Sequence, residues 1–378
     1  METPRHRPLP LALSLALCGA AGCRAPDGFS VQEENDFFGV GDRTDRNYSQ
    51  GVLVNLHYRP EHYPEPAKRL ADGIAALNPL WLGADSEASS KGTGADGPPE
   101  RFGLYALSIG HRIYTPNDLT LDPPDPSDRP YAGWLAMTLE AQIFESGGPG
   151  PHGDPRLPVA GDRQQVSRLT VGVIGPLSGA EAIQTEVHEW IGSTVPQGWD
   201  SQLENEPTAM YTWAQRHRLW AAVDPDSGLG LDLSTTYGAS LGTPHTAGSV
   251  SFGTRIGLRP PRHAWLDVGP SDHTGAFFGD LAPPNGGSAA GEGRWHVYGL
   301  ANARGSLVGY NSFLDGNLDG EGPEVDRELA VGELQLGLVA GHGPWTLAWI
   351  LQARTSEFEG SDGGHRIGAL VFGYSAQL

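Results

Sequence analysis

The sequence predicts an all-β chain: an antiparallel transmembrane β-barrel of about twelve strands with short helices in its loops. Three observations predict it. Apolar residues recur at every second position through many short segments separated by turn-rich gaps. After the N-terminal segment, no stretch approaches the roughly 20 apolar residues that a helical membrane span requires. Gly 53 and Pro 31 with only 19% charged residues favour many strands over long helices. A mean hydropathy of −0.33 excludes a helical membrane protein but not a barrel, whose strands average to mild polarity because they alternate.

The elements follow in chain order. Residues 1–23 read as a signal segment: Arg5 and Arg7 precede an apolar core at 9–17, followed by small residues. Ala20-Ala21-Gly22-Cys23 resembles a lipoprotein cleavage site, with ordinary cleavage nearby as the alternative. Either route removes Cys18, so residues 24–378 form one barrel with at most one cysteine and no internal disulfide. A first strand is expected near 29–34. Outward faces are then expected at Val52, Val54, Leu56 and Tyr58, at Tyr105, Leu107 and Ile109, and at Leu135, Met137, Leu139, Ala141 and Ile143. The same alternation continues through Leu169, Val171 and Val173, then Tyr211, Trp213, His217 and Leu219, then Leu229, Leu231 and Leu233. Val250 to Leu258, a strand near 294–307, and Leu334 to Leu338 come next. Trp345 to Ala353 and a terminal strand carrying Leu370, Phe372, Tyr374, Ala376 and Leu378 complete the set. A soluble sandwich or propeller also alternates; the export segment and the apolar-ended terminal strand favour the barrel.

With both termini periplasmic, the loops at 36–48, 115–130, 175–205, 309–326 and 357–364 fall on the outer side. The tight turns Asp224 to Gly228 and Gly341 to Pro344 fall on the inner side, together with two long connections at 59–101 and 261–293. The first of these carries an amphipathic helix at 67–77.

Three outer loops hold chemistry-bearing residues. In the first, Asn35, Asp36, Asp45, Asn47 and Ser49 are hard oxygen donors of the kind calcium takes, although not at EF-hand spacing. In the second, Asp128-Arg129 can form an ion pair, and Tyr131 and Trp134 are expected near the membrane interface. In the third, Ser178 is expected to cap a helix over 180–191, on which Gln184 and His188 share a face. A histidine at a barrel mouth can take a proton from water at neutral pH. The net charge of −20 argues against nucleic acid as a partner and suits divalent cations.

Taken together, ENDFF with NYSQG, IYTPND, DRPYAGW, GVIGPLSG, Gln184 with His188, GWDSQLENE and FLDGN resemble the LpxR-type lipid A 3′-O-deacylases of bacterial outer membranes. The resemblance covers essentially the whole mature chain, in order. It implies a twelve-stranded barrel in the outer membrane that hydrolyses the ester holding the 3′-linked acyloxyacyl group on lipid A, the lipid anchor of lipopolysaccharide, using Ca²⁺. It further implies His188 as the base acting on water, Asp36 as a calcium ligand, and Asn35 and Ser49 as completing that arrangement. Gln184 and Arg129 are expected to orient substrate. The chain departs from the family pattern at two places: the loop after YTP has no Lys between Asn117 and Asp122, and position 194 is Thr rather than Glu, with Arg129 and Glu189 as candidate replacements. Two other readings stay open: a phospholipase-like barrel with Ser49 as a nucleophile activated by His188, and a non-catalytic barrel that binds the outer leaflet.

Overall fold

In the computed structural model, residues 25–39, 47–79, 101–145, 161–261, 294–320, 322–361 and 363–375 are described. The signal segment with Cys23, Asp42 and Asp45, and the end of the terminal strand at 376–378 lie outside them. Twelve antiparallel strands close into a barrel in which each pairs with its sequence neighbours and β1 pairs with β12. They are β1 (Gly28–Asn35), β2 (Asn47–Tyr58), β3 (Arg101–Thr115), β4 (Ala132–Glu145), β5 (Arg163–Ile174), β6 (Glu206–Val223), β7 (Leu229–Thr243), β8 (His245–Leu258), β9 (Trp295–Asn311), β10 (Ala330–His342), β11 (Trp345–Arg354) and β12 (His365–Ser375). The strands therefore stand where the alternation put them. β9 continues four residues past the end expected for it, to Asn311.

Closure removes every sheet edge, which is what allows strands to cross a bilayer without unpaired backbone groups. The two faces are sorted accordingly. Leu334, Leu336, Leu338, Val250, Phe252, Ile256 and Leu347 are exposed on the outward face. Inward positions carry buried polar groups, among them Gln32, Glu34, Asn55, Glu140, Asp232, Arg255, Arg304, Glu333 and Gln352. This inversion of the soluble pattern suits lipid outside and a polar lumen. At the inner end Trp345 lies 4.6 Å from Tyr374 and packs on Phe372, the start of an aromatic girdle. No helix among the described residues is long and apolar enough to cross a membrane.

Helix α1 (Glu65–Ala75) forms where the inner connection was expected to be helical. Pro66 occupies its first turn, where no backbone donor is needed, and Lys68 reaches Asp72 at 3.0 Å. The helix does not plug the lumen. Ala71 and Ala75 pack with Tyr63 of the connection and with Tyr58, Tyr105 and Ala141, strand residues of the outward register, so α1 lies against the outside of the barrel.

The outer end of the lumen is filled by side chains from the motif-bearing segments. Tyr114 stacks on Phe313 with centroids 4.1 Å apart, Tyr48 tilts against Tyr114 at 5.3 Å, and Trp134 meets Phe313 at 6.0 Å. Trp134 donates its indole N–H to Thr208 Oγ1 at 3.0 Å. These aromatics close the barrel beneath its outer mouth. Tyr131 and Trp134 are both buried, so neither faces the membrane as expected; strand register turns Trp134 inward, and a loop covers Tyr131. Gly51 serves the same plug, because a Cβ there would collide with the Tyr48 hydroxyl that reaches Glu34.

Candidate active site on the outer wall

The site is built from the outer ends of β1, β2 and β3. Asn35 is the last residue of β1 and caps the 3-10 turn Asp36–Phe38 by accepting the Phe37 N–H at 2.8 Å. Its register partners Gln50 and Gly368 belong to the outward face, and the Glu33 carboxylate below it accepts a hydrogen bond from Gln50 at 2.9 Å. Asp36 is buried within the turn. The turn folds down over the outside of β11 and β12: Trp349 donates to the Phe38 carbonyl at 3.1 Å, and only glycine fits at 368, where a Cβ would lie 2.2 Å from the Phe38 backbone. Ser49 sits in a register shift between Tyr48 and Gln50, and this irregularity lets its hydroxyl bond Thr115 Oγ1 at the end of β3.

The second wall of the site is helix α2 (Ala180–Ile191). It rests on β3 and β4 from outside. Outward-facing Ile113 packs under it with Leu119, Tyr131, Ala180 and Trp199, and outward-facing His111 donates through Nε2 to the Ser178 carbonyl at 3.2 Å. Gly133 makes this seat possible. A Cβ there would stand 2.1 Å from Ser178 Oγ and 2.2 Å from the Ala180 Cβ. Ser178 closes a 3-10 turn and Gly179 in the left-handed conformation (φ 74°) takes the N-cap position, one residue later than expected, while the Ser178 hydroxyl accepts the Ala180 N–H at 3.4 Å. Gly133→Val should lift α2 from the wall and, if His188 on that helix is the base the family resemblance implies, lower activity ~100-fold, as displacing a positioned group does. Heat-modifiable migration on gels, which reports barrel integrity, should be retained.

Gln184 and His188 occupy the buried face of α2, as their spacing implies. Gln184 Oε1 accepts from the Trp199 indole at 3.0 Å. His188 Nδ1 lies 2.5 Å from the main-chain carbonyl of Thr194. A carbonyl only accepts, so Nδ1 carries a proton, and the neutral tautomer that fits this contact is the one a base needs. The chain reaches this arrangement because Gly192, at φ 72°, ends the helix and turns residues 193–194 back beneath the last turn. Position 194 thus supplies a backbone oxygen at a place where the side chain differs from the family pattern.

Arg129 belongs to a different cluster. Its guanidinium is buried over the Tyr114 ring at 4.9 Å, on the lumen side, and its ionic partner is Glu357 at 3.5 Å. The expected pairing with Asp128 is replaced: that carboxylate accepts main-chain N–H groups of Asn117 and Arg129 at 2.6 and 2.7 Å. Burial pushes the Arg129 guanidinium below its ordinary value, and the Glu357 charge opposes that shift. Glu189 is exposed, on the side of α2 turned away from the buried face. Thr115, Trp199 and the Thr194 carbonyl were missed by sequence reasoning. Thr115 ends the IYT motif and could have been found there; a main-chain carbonyl leaves no sequence signal.

Among the described residues no three His, Cys, Asp or Glu converge as a ready metal site. The oxygen donors present, the Asp36 carboxylate and the Ser49 and Thr115 hydroxyls, are hard and fit Ca²⁺ in kind. With one carboxylate, the remaining ligands have to come from main-chain carbonyls, water or bound substrate.

Fold and site together define a class: an outer-membrane β-barrel whose lumen is plugged and whose candidate catalytic groups stand on the lipid-facing wall. The chain belongs to the family described as outer membrane protein LpxR, whose model matches residues 9–376. Its place is accordingly the bacterial outer membrane. Among solved structures it is similar to LpxR from Salmonella typhimurium, at 17% identity and a TM-score of 0.64, covering 92% of this chain and 99% of that one. The β domain of the Bordetella autotransporter BrkA follows at 10% identity and a TM-score of 0.40, covering 93% and 100%. No curated protein sequence matches the chain.

Proposed function

We propose that this protein is a carboxylic ester hydrolase that removes the 3′-linked acyloxyacyl group from lipid A, the lipid part of lipopolysaccharide, with Ca²⁺ as cofactor. The observation that carries the reading is the placement of His188: a histidine in its basic tautomer, on a helix seated against the outside of the barrel, where a lipid of the outer leaflet can reach it. A hydrolase of soluble or periplasmic substrate would gain nothing from a site on that wall.

In this reading His188 Nε2 takes a proton from water as the water attacks the ester carbonyl, and the Thr194 carbonyl stabilises the imidazolium that forms. The proton then passes to the departing sugar oxygen. Asn35 and Ser49 orient the reacting groups, and Gln184, fixed by Trp199, keeps the face of α2 in place. Asp36 would hold Ca²⁺, which when bound supplies positive charge that polarises the ester carbonyl and stabilises the oxyanion. The test is mass spectrometry of lipid A from cells with and without the protein, and from cells carrying His188→Ala. Loss of the 3′ acyloxyacyl mass only with the wild type, blocked by chelation in membranes and restored by Ca²⁺, supports the reading. Unchanged acylation with folded protein overturns it, and then favours a non-catalytic barrel.

A nucleophilic Ser49 is the second reading. The Ser49 hydroxyl bonds Thr115 Oγ1, a partner that cannot serve as its base, which favours an orienting role. Ser49→Thr should keep at least a third of the activity and Ser49→Ala should lose most of it. A nucleophile of serine geometry would lose activity in both.

A further inference from the structure

Helix α2 has three edges, and the barrel wall accounts for only one of them. Ala180, Gln184 and His188 form the buried edge. Beside it, at i, i+4 and i+7, run Ile183, Val187 and Trp190, an apolar edge that the described residues leave largely open: Ile183 is 38% and Trp190 is 87% exposed, and Val187 is half-buried. The opposite side carries Glu181, Thr185 and Glu189, and Glu186 borders the apolar edge on its side away from the wall; all three glutamates are exposed. Leu177, in the turn before the helix, is 70% exposed, and Phe37, on the turn across the site, is 57% exposed.

The surface that meets the apolar edge is given by what lies beneath α2. Its seat at Gly133 continues down the outward face of β4 into Leu135 and Met137, and on β5 into Val173 and Val171. Met137 and Val171 are exposed members of the lipid-facing belt. The helix therefore sits at the upper margin of that belt, outside the barrel, with one edge apolar and the next acidic. An exposed Trp at this height matches the aromatic residues that favour the membrane interface, and the separation of apolar and charged edges is that of helices lying in the interface plane.

We infer that α2 is an interfacial helix whose Ile183, Val187 and Trp190 edge is seated among the acyl chains of the outer leaflet, with Glu181 and Glu189 in water. The lipid is thus a structural partner of α2: it completes the burial of a helix that the barrel covers on one side only. The inference rests on the outer-membrane location and the wall geometry, and stands or falls independently of the deacylase reading.

The test is depth measurement by spin labels in the mature chain with Cys23 replaced, reconstituted in phosphatidylcholine vesicles containing lipopolysaccharide. Labels are placed singly by Ile183→Cys, Trp190→Cys, Glu181→Cys and Glu189→Cys, with Met137→Cys as a reference within the belt. Power saturation compares collision with oxygen, which concentrates in acyl chains, against a water-soluble nickel chelate. Labels at 183 and 190 are expected to follow the Met137 reference in favouring oxygen, and labels at 181 and 189 to favour nickel by several-fold. Nickel access at 183 and 190 equal to that at 189, while Met137 stays oxygen-accessible, overturns the inference. Immobilised labels at 183 and 190 that neither reagent reaches also overturn it, since that pattern marks a protein partner on this edge. The Met137 reference in each preparation separates both results from failure to insert.

Discussion

His188→Ala should lower the rate of lipid A deacylation by ~10²–10⁴-fold, the range that a positioned general base contributes. The loss should appear in kcat with little change in KM, because in the proposed mechanism the imidazole acts on water and adds little to the binding of a large glycolipid. His188→Gln keeps the size of the side chain and a hydrogen bond to the Thr194 carbonyl, so it should fold as the wild type does while remaining inactive. Thr194→Val provides the contrast. The Thr194 side chain is exposed and His188 uses its main-chain oxygen, so activity should stay within about twofold, well inside the factor of ten that ~1.4 kcal/mol represents. Steady-state assay on lipopolysaccharide in mixed micelles checks all three. Activity in His188→Gln near that of the wild type would remove His188 from the mechanism.

Glu357→Gln should destabilise the barrel by ~3–5 kcal/mol, the cost of removing one partner from a buried ion cluster. The Glu357 carboxylate lies 2.6 Å from Arg354 and 3.5 Å from Arg129, and Arg354 also shares Glu333 with Arg304. Without it the fully buried Arg129 loses its anion and is left with the Tyr114 ring. Burial alone would raise the Glu357 carboxyl, but Arg354 and Arg129 outweigh it and hold the group below its ordinary value of 4.5. The sign follows: the folded-state value is depressed, so this stabilisation is complete above about 4.5 and is lost as pH falls through the lower folded value. Urea unfolding monitored by tryptophan emission should therefore show a wild-type midpoint that falls on acidification below that point. The Glu357→Gln midpoint should be lower at neutral pH, less sensitive to acid, and should approach the wild-type midpoint once Glu357 is protonated. Equal midpoints for the two proteins at neutral pH would show that the cluster contributes nothing net.

The strands were legible because alternation is a local signal. Each residue of Leu334, Leu336 and Leu338 declares its face through its nearest neighbours, and twelve such segments running up and down admit one closed arrangement. The pattern failed where burial has more than one cause. Trp134 and Tyr131 looked like interface aromatics, yet one is turned into the lumen and the other lies under Trp199. A lumen plug, a loop-covered wall and a membrane interface all favour large aromatics, so composition does not separate them. Arg129 was misjudged for a similar reason. Its adjacent aspartate was an obvious partner in the sequence, but backbone N–H groups of the same tight turn claim that carboxylate, and Glu357, more than two hundred residues along the chain, takes the guanidinium.

By itself the sequence determined the strand count, the outer side for every loop that carries chemistry, the helix bearing Gln184 and His188, and the family resemblance. These depend on short-range periodicity and on the order of motifs. Only the tertiary structure decided that the candidate site stands on the outside of the barrel rather than in its mouth. That outcome rests on contacts between distant segments: Gly133 leaving room for Ser178 and Ala180, the turn at Asp36–Phe38 folding over Gly368, and residues 193–194 returning to place a carbonyl under His188. A strand's two faces are equivalent in its own sequence at the rim. Which of them a loop folds across is settled by the packing of segments that meet only once the barrel has closed.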